Sequence, residues 1–221
     1  MSSTSRLHPP SPASDEAGPS NAKPWVDPTA LPPAPGVDVA AIRGTGNVSD
    51  YAKQLVCNVF SAYGVGARDQ FGYAVGRAVK WVEMSVEVER GGDVDVARTP
   101  RRMEAVTIAE LTVTKHMLNG AGMLHGGCVT YLIDNCASTP LVLLGVLSGT
   151  NGVGVTQGMN VLFHAPAPVG SLLRITSSSI AMGSRIMSAR CEITDATTAR
   201  VVASAFLNKM QPQPAKTKAK L

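Results

Sequence analysis

A chain of 221 residues, 44% of them hydrophobic, has room for one ordinary domain with length to spare and is too short for two large ones. Aromatic residues make up only 5%, so the core must be built from Val, Leu, Ile, Ala and Met. The formal charge of +4 comes from scattered Lys and Arg with no basic stripe interleaved with aromatics, which argues against a nucleic-acid partner.

The N-terminal 36 residues hold nine of the fifteen prolines and show no apolar periodicity. Residues 1–45 are therefore expected to form a disordered Pro/Ser-rich leader. A mitochondrial presequence is disfavoured, because only Arg6 precedes Asp15 and Glu16 and no amphipathic Arg-rich helix appears. A helical extension is predicted over residues 46–80. Asn47, Ser49 and Asp50 offer an N-cap, Leu55, Val56, Val59, Phe60 and Tyr63 follow at helical spacing, and Gly64 closes the helix.

The period changes at Trp81. Val82, Met84, Val86 and Val88 alternate with Glu83, Ser85, Glu87 and Glu89, the signature of a half-buried strand. Gly91, Gly92 and Asp93 make a turn, and a second strand is predicted from Ala105 to about His116. A small-residue loop from Asn119 to Gly127 then feeds an apolar segment, residues 128–147, whose length and spacing favour a buried helix. Pro140 lies inside it and predicts a kink or break near Thr139. Four β-rich runs follow at 153–164, 171–181, 185–195 and 200–210, separated by turn chemistry. The main domain is thus placed at residues 81–211, with a flexible tail over 212–221. A single antiparallel sheet wrapped around one central helix, an α+β architecture, satisfies every buried face in this order.

The four cysteines (Cys57, Cys128, Cys136 and Cys191) show no CxxC pair and no metal-ligand spacing with the four histidines. They read as reduced thiols of an intracellular protein, and no metal is expected. The longest apolar run, residues 140–147, falls short of the ~20 residues needed to cross a bilayer, so no membrane span is expected.

Chemistry concentrates between Asn119 and Asp134. Glycines at a loop-to-helix junction, as in His125-Gly126-Gly127, let a ligand approach first-turn N–H groups that lack intrahelical acceptors and carry the positive end of the helix dipole. Such a junction can hold a carbonyl oxygen as it becomes an oxyanion, although the same pattern more often marks a tight turn. Asp134 is an ionisable group in a segment otherwise made of Val, Tyr, Leu, Ile, Cys and Ala. It either lies on an exposed stripe or is held in the interior for a purpose. Eight residues separate it from Gly126, roughly 12 Å along a helix, so one chain cannot readily bring both groups to one carbonyl. Two antiparallel helices packed side by side can, which favours a symmetric dimer with two shared sites.

The run Asn119-x5-His125-Gly126-Gly127-x6-Asp134, followed by Gly154, Thr156, Met159-Asn160, Phe163, Pro166-Ala167 and Gly170, resembles the PaaI-like hotdog thioesterase family. The resemblance spans roughly residues 80–210, and it implies a hotdog fold that hydrolyses acyl-CoA without a metal or organic cofactor. It implies roles as well. Asp134 is the carboxylate that attacks the thioester or activates water, and the Gly126 N–H polarises the carbonyl. Asn119 orients water or substrate, His125 braces the site, and Thr156 supplies a hydroxyl that positions the water. Gly127, Asn160 and Phe163 are expected to contact substrate. Arg185 is the candidate cation for the CoA phosphates, with a solvated charge at a strand start as the equal alternative; the bland reading is preferred for the cluster Arg98, Arg101 and Arg102.

The implied partners are an acyl-CoA substrate and a second copy of the chain, as a homodimer or dimer of dimers. Pro140 and the connection at 145–152 depart from the family pattern and are expected to reshape the acyl tunnel. The competing reading is a hotdog protein that binds acyl-CoA or a lipid-like ligand without catalysis. A hydratase ranks last, since the Asp–His spacing it requires is absent. The final Ala219-Lys220-Leu221 resembles a peroxisomal signal, making the peroxisome the expected location, with mitochondrion or cytoplasm as alternatives.

Overall fold

The computed structural model describes residues 26–45, 48–88 and 103–211. The turn at Gly91–Asp93, the arginines at 98, 101 and 102, and the tail with Ala219–Leu221 lie outside those residues.

Helix α1 (Asp50–Phe60) is capped by Ser49, whose Oγ accepts from the Ala52 N–H at 3.2 Å. Gly64 does not end it. The chain continues as a π-helical turn, Ser61–Val65, and stops at Gly66, whose positive φ of 68° with ψ −159° is a backbone conformation that glycine adopts without strain. A short helix, α2 (Tyr73–Gly76), leads into β1 (Lys80–Val88). Strand β2 (Met103–Thr112) ends before His116, which falls in a 3-10 turn at Lys115–Met117. Then come helix α3 (Gly126–Ser148) and strands β3 (Val155–Phe163), β4 (Leu172–Met182), β5 (Ile186–Asp195) and β6 (Val201–Met210).

All six strands form one antiparallel sheet in the order β1-β2-β4-β5-β6-β3. Period-two alternation sends Ala105, Thr107, Ala109 and Leu111 of β2, Leu173 and Ile175 of β4, and Met187, Ala189, Cys191 and Ile193 of β5 to one face. That face receives Leu132, Ile133, Cys136, Ala137 and Leu141 of α3. By length and composition α3 would span a bilayer, yet 67% of its apolar window is buried within the protein, as befits a core helix.

Of the kink or break predicted in α3, the break is not present, since the helix runs unbroken from Gly126 to Ser148. Pro140 lacks the N–H that would bond the Cys136 carbonyl, but Thr139 Oγ1 donates to that same carbonyl at 2.6 Å. The single hydroxyl proton of Thr139 is thereby used, so Thr107 Oγ1, buried on β2, donates to Thr139 across 2.7 Å. A side chain restores the missing bond and pins the helix to the sheet. Thr139→Val is therefore expected to cost about 1–3 kcal/mol in denaturant unfolding, because two buried polar groups lose their partner. The penalty should shrink in a Pro140→Ala background, where the new N–H reaches Cys136.

Residues 26–45, expected to belong to the leader, are instead packed on α1. Ala34 and Ile42 are buried against α1, the Ala34 N–H donates to Asn58 Oδ1 at 2.8 Å, and Lys53 Nζ donates to the Ile42 carbonyl at 2.8 Å. Arg43 adds a backbone bridge to β1, donating to Val82 and accepting from Met84. Composition alone missed this because the groups that satisfy the segment sit on α1.

Candidate active site

His125 opens α3 from an extended conformation (φ −66°, ψ 133°), and its Nδ1 accepts from the Gly127 N–H at 2.8 Å. A neutral ring accepting at Nδ1 carries its proton on Nε2. The His125 carbonyl takes the N–H groups of Cys128 (2.9 Å) and Val129 (3.0 Å). Among the described residues the Gly126 N–H has no acceptor, so the oxyanion expectation narrows to that single donor. Gly127 was expected to contact substrate, but its N–H is already engaged by His125. A Cβ placed on Gly126 would lie 3.6 Å from the Phe163 ring, which sets Phe163 beside the helix start.

Asn119 is spent on its own loop. Its Oδ1 accepts from Ala121 at 2.9 Å and Met123 at 3.2 Å, leaving only the side-chain NH2 to orient anything else.

Asp134 lies two turns into α3, half-buried rather than on an open stripe. Thr156 Oγ1 donates to its Oδ1 at 2.7 Å, bringing together two side chains 22 residues apart. Ser138 Oγ donates to the Asp134 carbonyl at 2.6 Å and accepts from Lys209 Nζ at 2.7 Å. Thr156 and Lys209 are directly paired across β3 and β6. Asp134, Thr156, Ser138 and Lys209 line a cavity of about 900 Å³ whose far wall includes Val59, Phe60 and Val142. His125 and Gly127 line a different cavity, of about 490 Å³, with Tyr131, Phe71 and His116. One chain thus holds the two halves of the expected site apart.

Lys209 and Ser138 were absent from the sequence expectation. Burial lowers the proton affinity of Lys209 below the ordinary lysine value, and the Asp134 carboxylate opposes that shift. A signal for Lys209 existed. Ala203, Ala205 and Leu207 share its phase on β6 and face the helix, so the lysine must face inward with them.

Asn160 does not join this group within one chain. It is paired with Phe206 on the face of the sheet opposite Asp134, in a groove with Glu104, Arg190 and Ser204. The register shift between Thr156 and Gly158 sets this phase, which motif spacing does not reveal. Arg185 is exposed in the β4–β5 connection and has no ion pair among the described residues.

The four thiols are free, and burial pushes Cys128 up to about 11 and Cys57 and Cys191 up to about 12. Burial favours the neutral thiol at each of the four cysteines, which argues against a cysteine nucleophile. Among the described residues no group of three His, Cys, Asp or Glu side chains converges to hold a metal.

A six-stranded antiparallel sheet wrapped around one long helix, with a carboxylate on that helix facing a cavity, defines a hotdog-fold protein. The chain matches the family model of the Thioesterase superfamily over residues 121–202. It is 30% identical over 96 residues to the mouse and human proteins named acyl-coenzyme A thioesterase 13. The match covers 43% of this chain and 66% of those relatives, just under two thirds of their length. In fold it is similar to thioesterase superfamily member 2 of Mus musculus (TM-score 0.52, 22% identity, 74% of this chain and 98% of that one). The zebrafish protein of the same name gives a TM-score of 0.51 at 20% identity, over 71% of this chain and 95% of that one.

Proposed function

We propose that this protein hydrolyses acyl-CoA thioesters to free acid and CoA at a site shared by two copies of the chain. The observation that carries the reading is the Thr156–Asp134 hydrogen bond, which holds a half-buried carboxylate at the mouth of a largely apolar cavity. In this reading the acyl chain lies in the cavity and the thioester carbonyl rests on the Gly126 N–H of the second copy. Asp134 takes a proton from water as the water oxygen bonds to the carbonyl carbon. The tetrahedral oxyanion forms against the N–H, the C–S bond breaks, and the departing thiolate recovers the proton. Direct attack by Asp134, with water resolving the anhydride, uses the same geometry. His125 acts here as a brace, since its Nδ1 fixes the helix start from which the Gly126 N–H projects.

A chain-length series of acyl-CoAs in a thiol-release assay, run beside calorimetric titration with CoA, tests the reading. Release of thiol with saturable turnover supports it. Binding without release would replace it with non-catalytic acyl-CoA capture. Thr156→Val keeps the β-branched shape but removes the donor to Asp134, and its kcat is expected to fall about tenfold with KM little changed.

A further inference from the structure

We propose that Lys209 is a positioning residue for hydrolysis, its ammonium keeping the Asp134 carboxylate aimed into the cavity; the inference rests on the function proposed above. Lys209 is buried at 9% exposure, unusual for a residue whose long stem normally carries its charge to water. Its ammonium has three donors, of which Ser138 Oγ takes one at 2.7 Å. It forms no direct ion pair among the described residues, so the other donors are left to the cavity it lines with Asp134.

The surroundings restrict what that charge can serve. Ser138 donates its own hydroxyl hydrogen bond to the Asp134 carbonyl, which ties the ammonium to the turn of α3 that presents the carboxylate. Thr156, paired with Lys209 on the neighbouring strand, holds the carboxylate from the other side. The ionisable side chains lining this cavity are Asp134 from α3, Lys209 from β6 and the Tyr63 phenol from the π-helical turn; β3 contributes only the Thr156 hydroxyl. On the side of β5, the residue paired with Lys209 is Met187, which carries no charge. Asp134 is thus the one anion available to Lys209 among these residues. A buried cation with a hydroxyl partner costs folding free energy that an apolar side chain of similar volume would not, so its presence points to function rather than to stability.

Two readouts separate this role from a structural one. Lys209→Met and Lys209→Gln are expected to lower kcat about tenfold or more with KM nearly unchanged, while the Met variant unfolds at the same temperature or higher. Lys209→Arg, with room in the adjoining cavity, should recover most of the loss. The pH profile gives the second readout. Burial makes Lys209 release its proton below the ordinary value of 10.5, so the native rate should fall on the alkaline side before that pH. The fall should persist in Tyr63→Phe, move to higher pH in Lys209→Arg and vanish in Lys209→Met. Stability follows the same linkage. The unfolded chain binds the extra proton, so stability rises with pH in the window below 10.5, a slope that Lys209→Met removes.

Should the Met variant fail to fold, the Gln variant carries the test. Neutral variants with the native kcat and an unchanged alkaline limb, beside an inactive Asp134→Asn, would overturn the role of Lys209 and leave the thioesterase reading standing. An Arg variant as slow as the Met variant would overturn the charge argument. An active Asp134→Asn would instead bring down the reading on which both rest.

Discussion

Asp134→Asn is expected to lower kcat by a factor on the order of 10³ in a thiol-release assay, with the elution volume unchanged on a sizing column. The substitution is close to isosteric, and its Oδ1 still accepts the Thr156 hydroxyl that donates across 2.7 Å in the native protein. The side chain therefore keeps its place while losing the capacity to take a proton or attack a carbonyl. Both variants of the mechanism fail together, so the experiment tests the residue and leaves the choice between base and nucleophile to trapping of an acyl intermediate. KM should stay close to native, since the cavity walls that would hold the acyl chain, Val59, Phe60 and Val142, are untouched. Turnover within a few-fold of native would remove Asp134 from the chemistry.

The fold was largely legible because its signals are local. Alternation from Val82 to Val88 marks β1, and the long apolar run after Gly127 marks α3, since both depend on burial of one face or all faces of a single element. What escaped were interactions between groups distant in the chain. The break predicted at Pro140 fails because Thr139 supplies the bond to Cys136 and Thr107 supports Thr139 from β2, 32 residues earlier. The leader was read as disordered to residue 45 because its partners, Asn58 and Lys53, belong to α1.

The site divides in the same way. Asp134 stood out as an acid in an apolar helix, and its bond to Thr156 joins two residues the motif had already singled out. Asn160 was carried over by motif spacing, and the register of β3 against β6 places it on the other face of the sheet. Lys209 shows the opposite failure. Its phase on β6 was readable, but a lysine near a strand end is ordinarily solvated, and only the packing of Ser138 and Thr156 around it reveals the difference.

Gly126→Pro offers a nearly surgical removal of one N–H. Proline is well tolerated at the first position of a helix, where the N–H has no intrahelical acceptor in any case. The preceding residue, His125, already has the extended backbone that proline demands of its neighbour (φ −66°, ψ 133°). The added Cβ meets Phe163 at 3.6 Å, no closer than ordinary contact. The expected result is a loss of about 10²–10³ in kcat with unfolding temperature within a few degrees of native, the size of effect seen when one oxyanion donor is removed. Mixing then decides where the two halves of the site reside. If Gly126 of one copy serves Asp134 of another, a heterodimer of Gly126→Pro with Asp134→Asn holds one doubly damaged site and one intact site. Random reassortment of the two inactive variants at equal concentration should therefore restore about a quarter of native activity. Sites built within single chains would give no recovery at all, because every chain in the mixture carries a lesion. The eight-residue separation along α3, and the placement of Asp134 and His125 in different cavities of one chain, point to recovery.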